Sequence, residues 1–156
     1  MELNPAYVQR LIEVVNSSAF PSHLPFWLES IAFDESTVKM KIGPEHFQPL
    51  GTVHGGILAT LIDTATYWAP FLRIPADAGM VNVDLKLNYL KAVTGGLLIA
   101  EGRCLRTGRT INYAEASVKN ENGNLVAHGT STLMVLPEQG LDLGVEKFCS
   151  LDTTTN

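Results

Sequence analysis

The sequence predicts an α+β domain in which a curved antiparallel sheet wraps around one long central helix, with an extra helix at the N-terminus. Three observations carry that expectation. A single long apolar helical stretch runs from the His54-Gly55-Gly56 entry to Pro70, a two-residue alternation sets in at Val81, and further strand-like runs follow with turn signals between them. At 156 residues and 46% hydrophobic composition, one domain can bury a core without disulfides or metals. We expect that domain to cover residues 1–137, with 1–20 as helix and loop, and residues 138–156 to form a loosely attached tail.

In chain order, Asn4-Pro5 is a capping residue followed by a favourable first helical residue, and Tyr7, Val8, Leu11, Ile12 and Val15 recur at helical spacing. Pro21 and Pro25 bracket a loop. Residues 26–33 and 37–42 read as two strands joined through Asp34-Glu35-Ser36, and Gly43-Pro44 stops the second. Around the central helix, Gly56, Ala59, Thr60, Thr66 and Tyr67 share the side of Asp63, while Ile57, Leu58, Leu61, Ile62, Ala65, Trp68 and Ala69 lie opposite. One face is apolar; the other is small and polar. Pro70 ends the helix because it has no N–H to give and disfavours helical geometry at the residue before it.

After a loop over 75–79, Val81, Val83, Leu85, Leu87 and Tyr89 take one face of a strand and Asn82, Asp84, Lys86 and Asn88 the other. Thr94-Gly95-Gly96, Thr107-Gly108 and Asn122-Gly123 then turn the chain between runs at 97–106, 109–119 and 125–136, which predicts an antiparallel meander. Apolar residues on both faces of 97–99 and 133–136 predict self-association.

Composition excludes several functions. A net charge of −5 is unsuited to general nucleic-acid binding. The N-terminus lacks the basic and apolar regions of a secretory signal, and no apolar run is long enough to span a bilayer, so we expect a cytoplasmic protein without a membrane partner. Cys104 and Cys149 form neither a metal-ligand spacing nor a disulfide framework. Nucleophile-elbow, phosphate-loop, dinucleotide and zinc-helix signatures are all missing, which narrows the choice to sites built from few parts.

Two features suit such a site. His54-Gly55-Gly56 opens a helix whose first N–H groups, backed by the positive end of the helix dipole, fit a developing oxyanion. Asp63, amid Leu61, Ile62 and Ala65, is a carboxylate that needs donors, solvent or a task, because an unpaired buried charge costs several kcal/mol. Near neutral pH it would attack a carbonyl or take a proton from water.

Gln48, Leu50-Gly51, His54-Gly55-Gly56 and Asp63, with Val81-Asn82-Val83-Asp84 and Tyr89 downstream, resemble the pattern of hotdog-fold acyl-CoA thioesterases, in particular the PaaI-like (phenylacetic acid degradation type) subfamily. The resemblance covers most of residues 35–136. It implies a helix wrapped by an antiparallel sheet, homodimers assembling to homotetramers, an active site at the dimer interface, acyl-CoA as substrate, and neither cofactor nor metal. It further implies that the Gly55 N–H polarises the thioester carbonyl, that Asp63 from the opposite subunit is nucleophile or general base, that Gln48 positions thioester or water, and that His54 supports the loop. One branch of the family pairs Gln with Glu and places Ser or Thr one turn later, where this chain has Asp63 and Tyr67. The other pairs Asn with Asp and uses a serine on the following strand, where this chain has Asn82. Gly56, Tyr67 and Asn82 are therefore candidate substrate contacts, and the basic turn Arg106-Thr107-Gly108-Arg109-Thr110 offers Arg106, Arg109 and Thr110 to coenzyme A phosphates. Two other readings are an enoyl-CoA hydratase or dehydratase on the same fold, with His54 and Asp63 both aimed at substrate, and a non-catalytic acyl-CoA-binding protein.

Overall fold

A computed structural model describes residues 2–149. Helix α1 (Pro5–Asn16) starts where expected: the Asn4 side chain accepts from the Ala6 N–H at 3.0 Å, and Tyr7, Leu11 and Val15 form its buried stripe against the first strand. The segment read as a loop around Pro21 instead contains a short helix, α2 (Ala19–His23). Pro21 is tolerated there because the first-turn N–H groups of a helix have no intrahelical partner to lose.

Strands β1 (Phe26–Ala32) and β2 (Glu35–Ile42) form a hairpin with Asp34 in the left-handed region at its tip, φ 67°. The central helix, α3, spans Gly55–Trp68 and is followed by β3 (Gly79–Tyr89), β4 (Gly96–Arg106), β5 (Ile111–Asn120) and β6 (Leu125–Leu136). All strands join one sheet in the order β1-β2-β4-β5-β6-β3, every pair antiparallel.

The predicted meander holds for β4, β5 and β6 only. β3 pairs with β6 at the far edge, and β4 returns to pair with β2. Local turn signals do not report this, since the segment between β2 and β3 contains α3 and carries the chain across the sheet.

The apolar face of α3 lies on the sheet, with Leu61, Ile62 and Ala65 fully buried. Small residues on the strands let the helix come close. A Cβ at Gly102 would stand 2.2 Å from the Ala65 carbonyl oxygen, the same oxygen that accepts a 2.7 Å bond from Ser36 Oγ. Thr66, expected on the polar side, is buried, and its hydroxyl donates to the Ile62 carbonyl at 2.9 Å.

The alternation in β3 is broken. Asn82 is opposite Leu133 and Asp84 opposite Thr132, so Val83 is an extra residue without a cross-strand partner. Side-chain parity reverses there. Leu85 and Leu87 pack against the core as expected, but Val81 and Val83 are exposed, and Asn82 faces the helix.

Residues 138–149, expected to be loosely attached, form a strap across the α1 end of the domain. Gly140 N–H donates to the Asp77 carbonyl, Asn4 N–H to the Lys147 carbonyl and Cys149 N–H to the Glu2 carbonyl. Lys147 is 2% exposed; its ammonium donates to the carbonyls of Phe71 (3.1 Å) and Ile74 (2.7 Å). The remainder of the expected tail, 150–156, lies outside the described residues. Among the described residues no helix is long and apolar enough to cross a membrane.

Candidate active site

The loop before α3 is fixed from several sides. Buried His46 accepts from the Gly43 N–H through Nδ1 (2.9 Å), and its carbonyl receives the His54 N–H (2.9 Å). Val53 N–H reaches the Val93 carbonyl at 2.8 Å. Gln48 is held by its own turn: Nε2 donates to Thr52 Oγ1 at 2.7 Å, and Oε1 accepts from the Leu50 N–H at 2.8 Å.

His54 is the N-cap of α3. Its Nδ1 accepts from the Gly56 N–H at 2.8 Å, which satisfies one of the helix's orphan donors. The Gly55 N–H has no acceptor among the described residues. Tyr89 covers the adjoining carbon. A Cβ on Gly55 would meet the Tyr89 ring at 3.0 Å, so residue 55 has to be small for the ring to lie there. Gln48, Gly55 and Tyr89 line one cavity of ≈ 410 Å³ together with Thr52, Leu58 and Lys91.

Asp63 belongs to a different place. Asn82 Nδ2 donates to Asp63 Oδ1 at 2.5 Å, while Asn82 Oδ1 is buried without a partner among the described residues. Burial raises the Asp63 carboxyl above its ordinary range, and the Asn82 amide opposes that rise by bonding the charged form. Along a helix at 1.5 Å per residue, the eight steps from Gly55 to Asp63 amount to about 12 Å. One thioester carbon cannot be gripped by Gly55 and attacked from Asp63 of the same chain.

Tyr67, one turn after Asp63, stacks edge-on against Trp68 (4.9 Å between centroids), and burial pushes its hydroxyl pKa up. Arg106, Arg109 and Thr110 occupy the β4–β5 turn and are exposed. The strand register sets this turn at the Gly79 and Leu136 end of the sheet, whereas Gly55 and Tyr89 stand at the Ala127 end. The structure thus brings Gln48, His54, Gly55 and Gly56 together, joins Asp63 to Asn82, and sets the basic turn apart from the first group. Lys91, which lines the same cavity as Gly55, is not among the residues singled out in the sequence.

Residues 50–127 match the thioesterase superfamily. The chain is 32% identical over 107 residues to acyl-coenzyme A thioesterase 13 of Mus musculus and of Homo sapiens, covering 67% of this chain and 76% of each relative. A solved thioesterase from Haemophilus influenzae superimposes with a TM-score of 0.76 at 25% identity, covering 83% of this chain and 90% of that one.

Proposed function

The chain belongs to the thioesterase superfamily and is a thioester hydrolase, and we propose that it cleaves acyl-CoA to a free carboxylic acid and coenzyme A in the manner of the PaaI-like subfamily. One observation carries the reading: a helix N-terminus whose Gly55 N–H is unclaimed, and a carboxylate held by Asn82 about 12 Å further along the same helix. The two halves suit a site completed by a second copy.

The edge strand β3 is suited to make that pair. It ends the sheet, runs for 11 residues, and exposes Val81 and Val83. Antiparallel pairing of two β3 edges would set the Asp63 and Asn82 end of one copy against the Gly55 and Tyr89 end of the other. It would also bring the other copy's Arg106–Thr110 turn to the side of Gly55, where Lys91 adds a third cation to Arg106 and Arg109 for coenzyme A phosphates. Dimers of this kind would double to tetramers in the cytoplasm.

In the proposed reaction the Gly55 N–H binds the thioester carbonyl oxygen and takes up its developing charge. Asp63 of the opposite copy removes a proton from water as the water oxygen bonds to the acyl carbon. Collapse of the tetrahedral species breaks the carbon–sulfur bond, and the thiolate of coenzyme A leaves and is protonated. Asn82 Oδ1, which lacks a partner among the described residues, supports this route over direct attack by Asp63, because it can accept a hydrogen bond from the O–H that the water keeps. Gln48 and His54 hold the loop, Gly56 completes the cap, and Tyr67 borders the acyl group.

The test is incubation with short, medium, long and aromatic acyl-CoAs while following free thiol. Turnover by the unaltered protein and its loss in Asp63→Asn support the proposal; turnover untouched by that change removes Asp63 from the mechanism. Single-turnover labelling with solvent oxygen separates the water route, which puts the label in the product acid, from covalent attack with hydrolysis at the aspartyl carbonyl, which puts it in the Asp63 carboxylate and leaves the acid unlabelled.

A further inference from the structure

One cavity lies apart from the Gly55 mouth. It has ≈ 330 Å³, opens to solvent, and is lined by Val14 and Val15 of α1, Tyr67 and Trp68 at the end of α3, Phe71 and the strap residue Leu141. Its walls are mostly aromatic and aliphatic, with Ser18 and Gln139 as the polar lining. Its α3 wall begins one helical turn beyond Asp63, with Tyr67 from the side that carries Asp63 and Trp68 from the apolar side. Ionised Asp63 would repel an anionic headgroup there, but an uncharged chain leaving the reacting carbon meets apolar surface.

Two elements that line this cavity, α1 and the strap, fall outside the superfamily match over 50–127. The strap is anchored to the cavity wall itself: Lys147 Nζ bonds the carbonyl of Phe71, whose ring lines the space, and also that of Ile74. A Cβ on Gly79 would stand 2.5 Å from the Gln139 carbonyl oxygen, so the strap is seated directly on the start of β3. These ties seat the strap beside the cavity, which Leu141 helps to line.

We propose that this cavity receives the acyl chain of the substrate, and that Val14 from α1 and Leu141 from the strap set the length of chain accepted. The inference rests on the acyl-CoA reading above and adds the substrate class: unbranched chains of medium length. The volume holds on the order of ten groups of about 30 Å³, the share of a water molecule in the liquid and close to that of a methylene. Burial of each added methylene then raises kcat/KM by about fourfold until the space is full.

The experiment measures kcat/KM from acetyl-CoA to palmitoyl-CoA. The expected profile climbs and then levels at medium length. Leu141→Trp and Val14→Trp fill the cavity and move the maximum to shorter chains, by tenfold or more in the ratio of decanoyl to butyryl rates; Leu141→Ala moves it to longer ones. Destabilisation alone would lower every chain length by the same factor, and such a uniform loss, or an unchanged profile, overturns the inference while leaving hydrolysis intact. A second readout does not need turnover. In Trp27→Phe/Asp63→Asn, decanoyl-CoA alters Trp68 fluorescence and acetyl-CoA does not; equal or absent responses overturn the assignment even where no hydrolysis is found.

Discussion

Asn82 on β3 donates its side-chain amide to Asp63 on α3, and it faces the helix because Val83 is one residue too many for the ladder with β6. Continuous alternation would put Asn82 on the side opposite Leu85 and Leu87, away from α3. The extra residue reverses parity, joins Asn82 to the inward set and turns Val81 and Val83 outward. The same irregularity therefore orients a carboxylate's partner and bares two apolar side chains on the sheet edge.

Asp63→Asn should separate activity from stability. Burial is the main cause of the raised carboxyl pKa, so ionising Asp63 costs folding free energy. For an acid with a raised folded pKa, stability is complete below the unfolded value of about 3.9 and lost as pH rises through the folded value. An amide carries no such penalty at neutral pH. Turnover should fall a hundredfold or more, and thermal unfolding at pH 7 should move to higher temperature.

Asn82→Ala tests the amide through the pH profile. If Asp63 is the base it must be ionised, and kcat/KM then declines on the acid side around its pKa. The Asn82 bond lowers that pKa, and removing it should shift the acid limb to higher pH. A limb that stays in place, with only its height reduced, would mean that Asn82 does not influence the acid.

Much of this was legible in local chemistry. His54-Gly55-Gly56, the apolar face through Leu61 and Ile62, and Pro70 all report on their immediate neighbours, and α3 begins and ends where they indicate. Asp63 stood out for the same reason, as a charge where the pattern calls for apolar residues. The partnership of β3 with β6 was not legible, because pairing across some 50 positions leaves no mark in either turn. Nor was the bulge at Val83, whose valine fits the alternation that the bulge breaks. Tyr89 against Gly55 and Lys147 beneath Phe71 depend on chain crossings of the same long-range kind.

His54→Ala removes the cap of α3 without touching the core. Its Nδ1 is the acceptor for the Gly56 N–H, and loss of a capping side chain typically costs about 1 kcal/mol. Urea unfolding should show a loss of that size. His54→Asn, which can also cap, should recover most of the stability; a hydratase using the imidazole as an acid would gain no activity from that rescue.

Lys147 gives the strap a signature in alkaline solution. Burial lowers its ammonium pKa from 10.5 to about 8, so the folded protein sheds this proton before the unfolded chain does. A base depressed on folding contributes stability that is present above the unfolded pKa and lost as pH falls through the folded one. Unfolding free energy should therefore rise between about pH 8 and 10.5, by at most about 3 kcal/mol from this group. Other groups titrate in the same window, so the comparison is with Lys147→Met. The difference between the two proteins should shift towards the unaltered chain across that window, and a constant difference would place the amine in water.

Sharing of the site between two copies can be tested with two inactive proteins. Gly55→Val drives a side chain into the Tyr89 ring and blocks the donor, whereas Asp63→Asn removes the acid. Each homodimer then has two defective sites. If donor and acid come from opposite chains, a mixed dimer concentrates both defects in one site and leaves the other intact. Random reassociation of equal amounts makes half the dimers mixed, so activity should recover to about a quarter of the unaltered level. Recovery should disappear when Val81→Asp and Val83→Asp are added to both chains, since charges on the β3 edge oppose pairing. Where both groups act within one chain, mixing restores nothing, because every copy carries a defect in its own site.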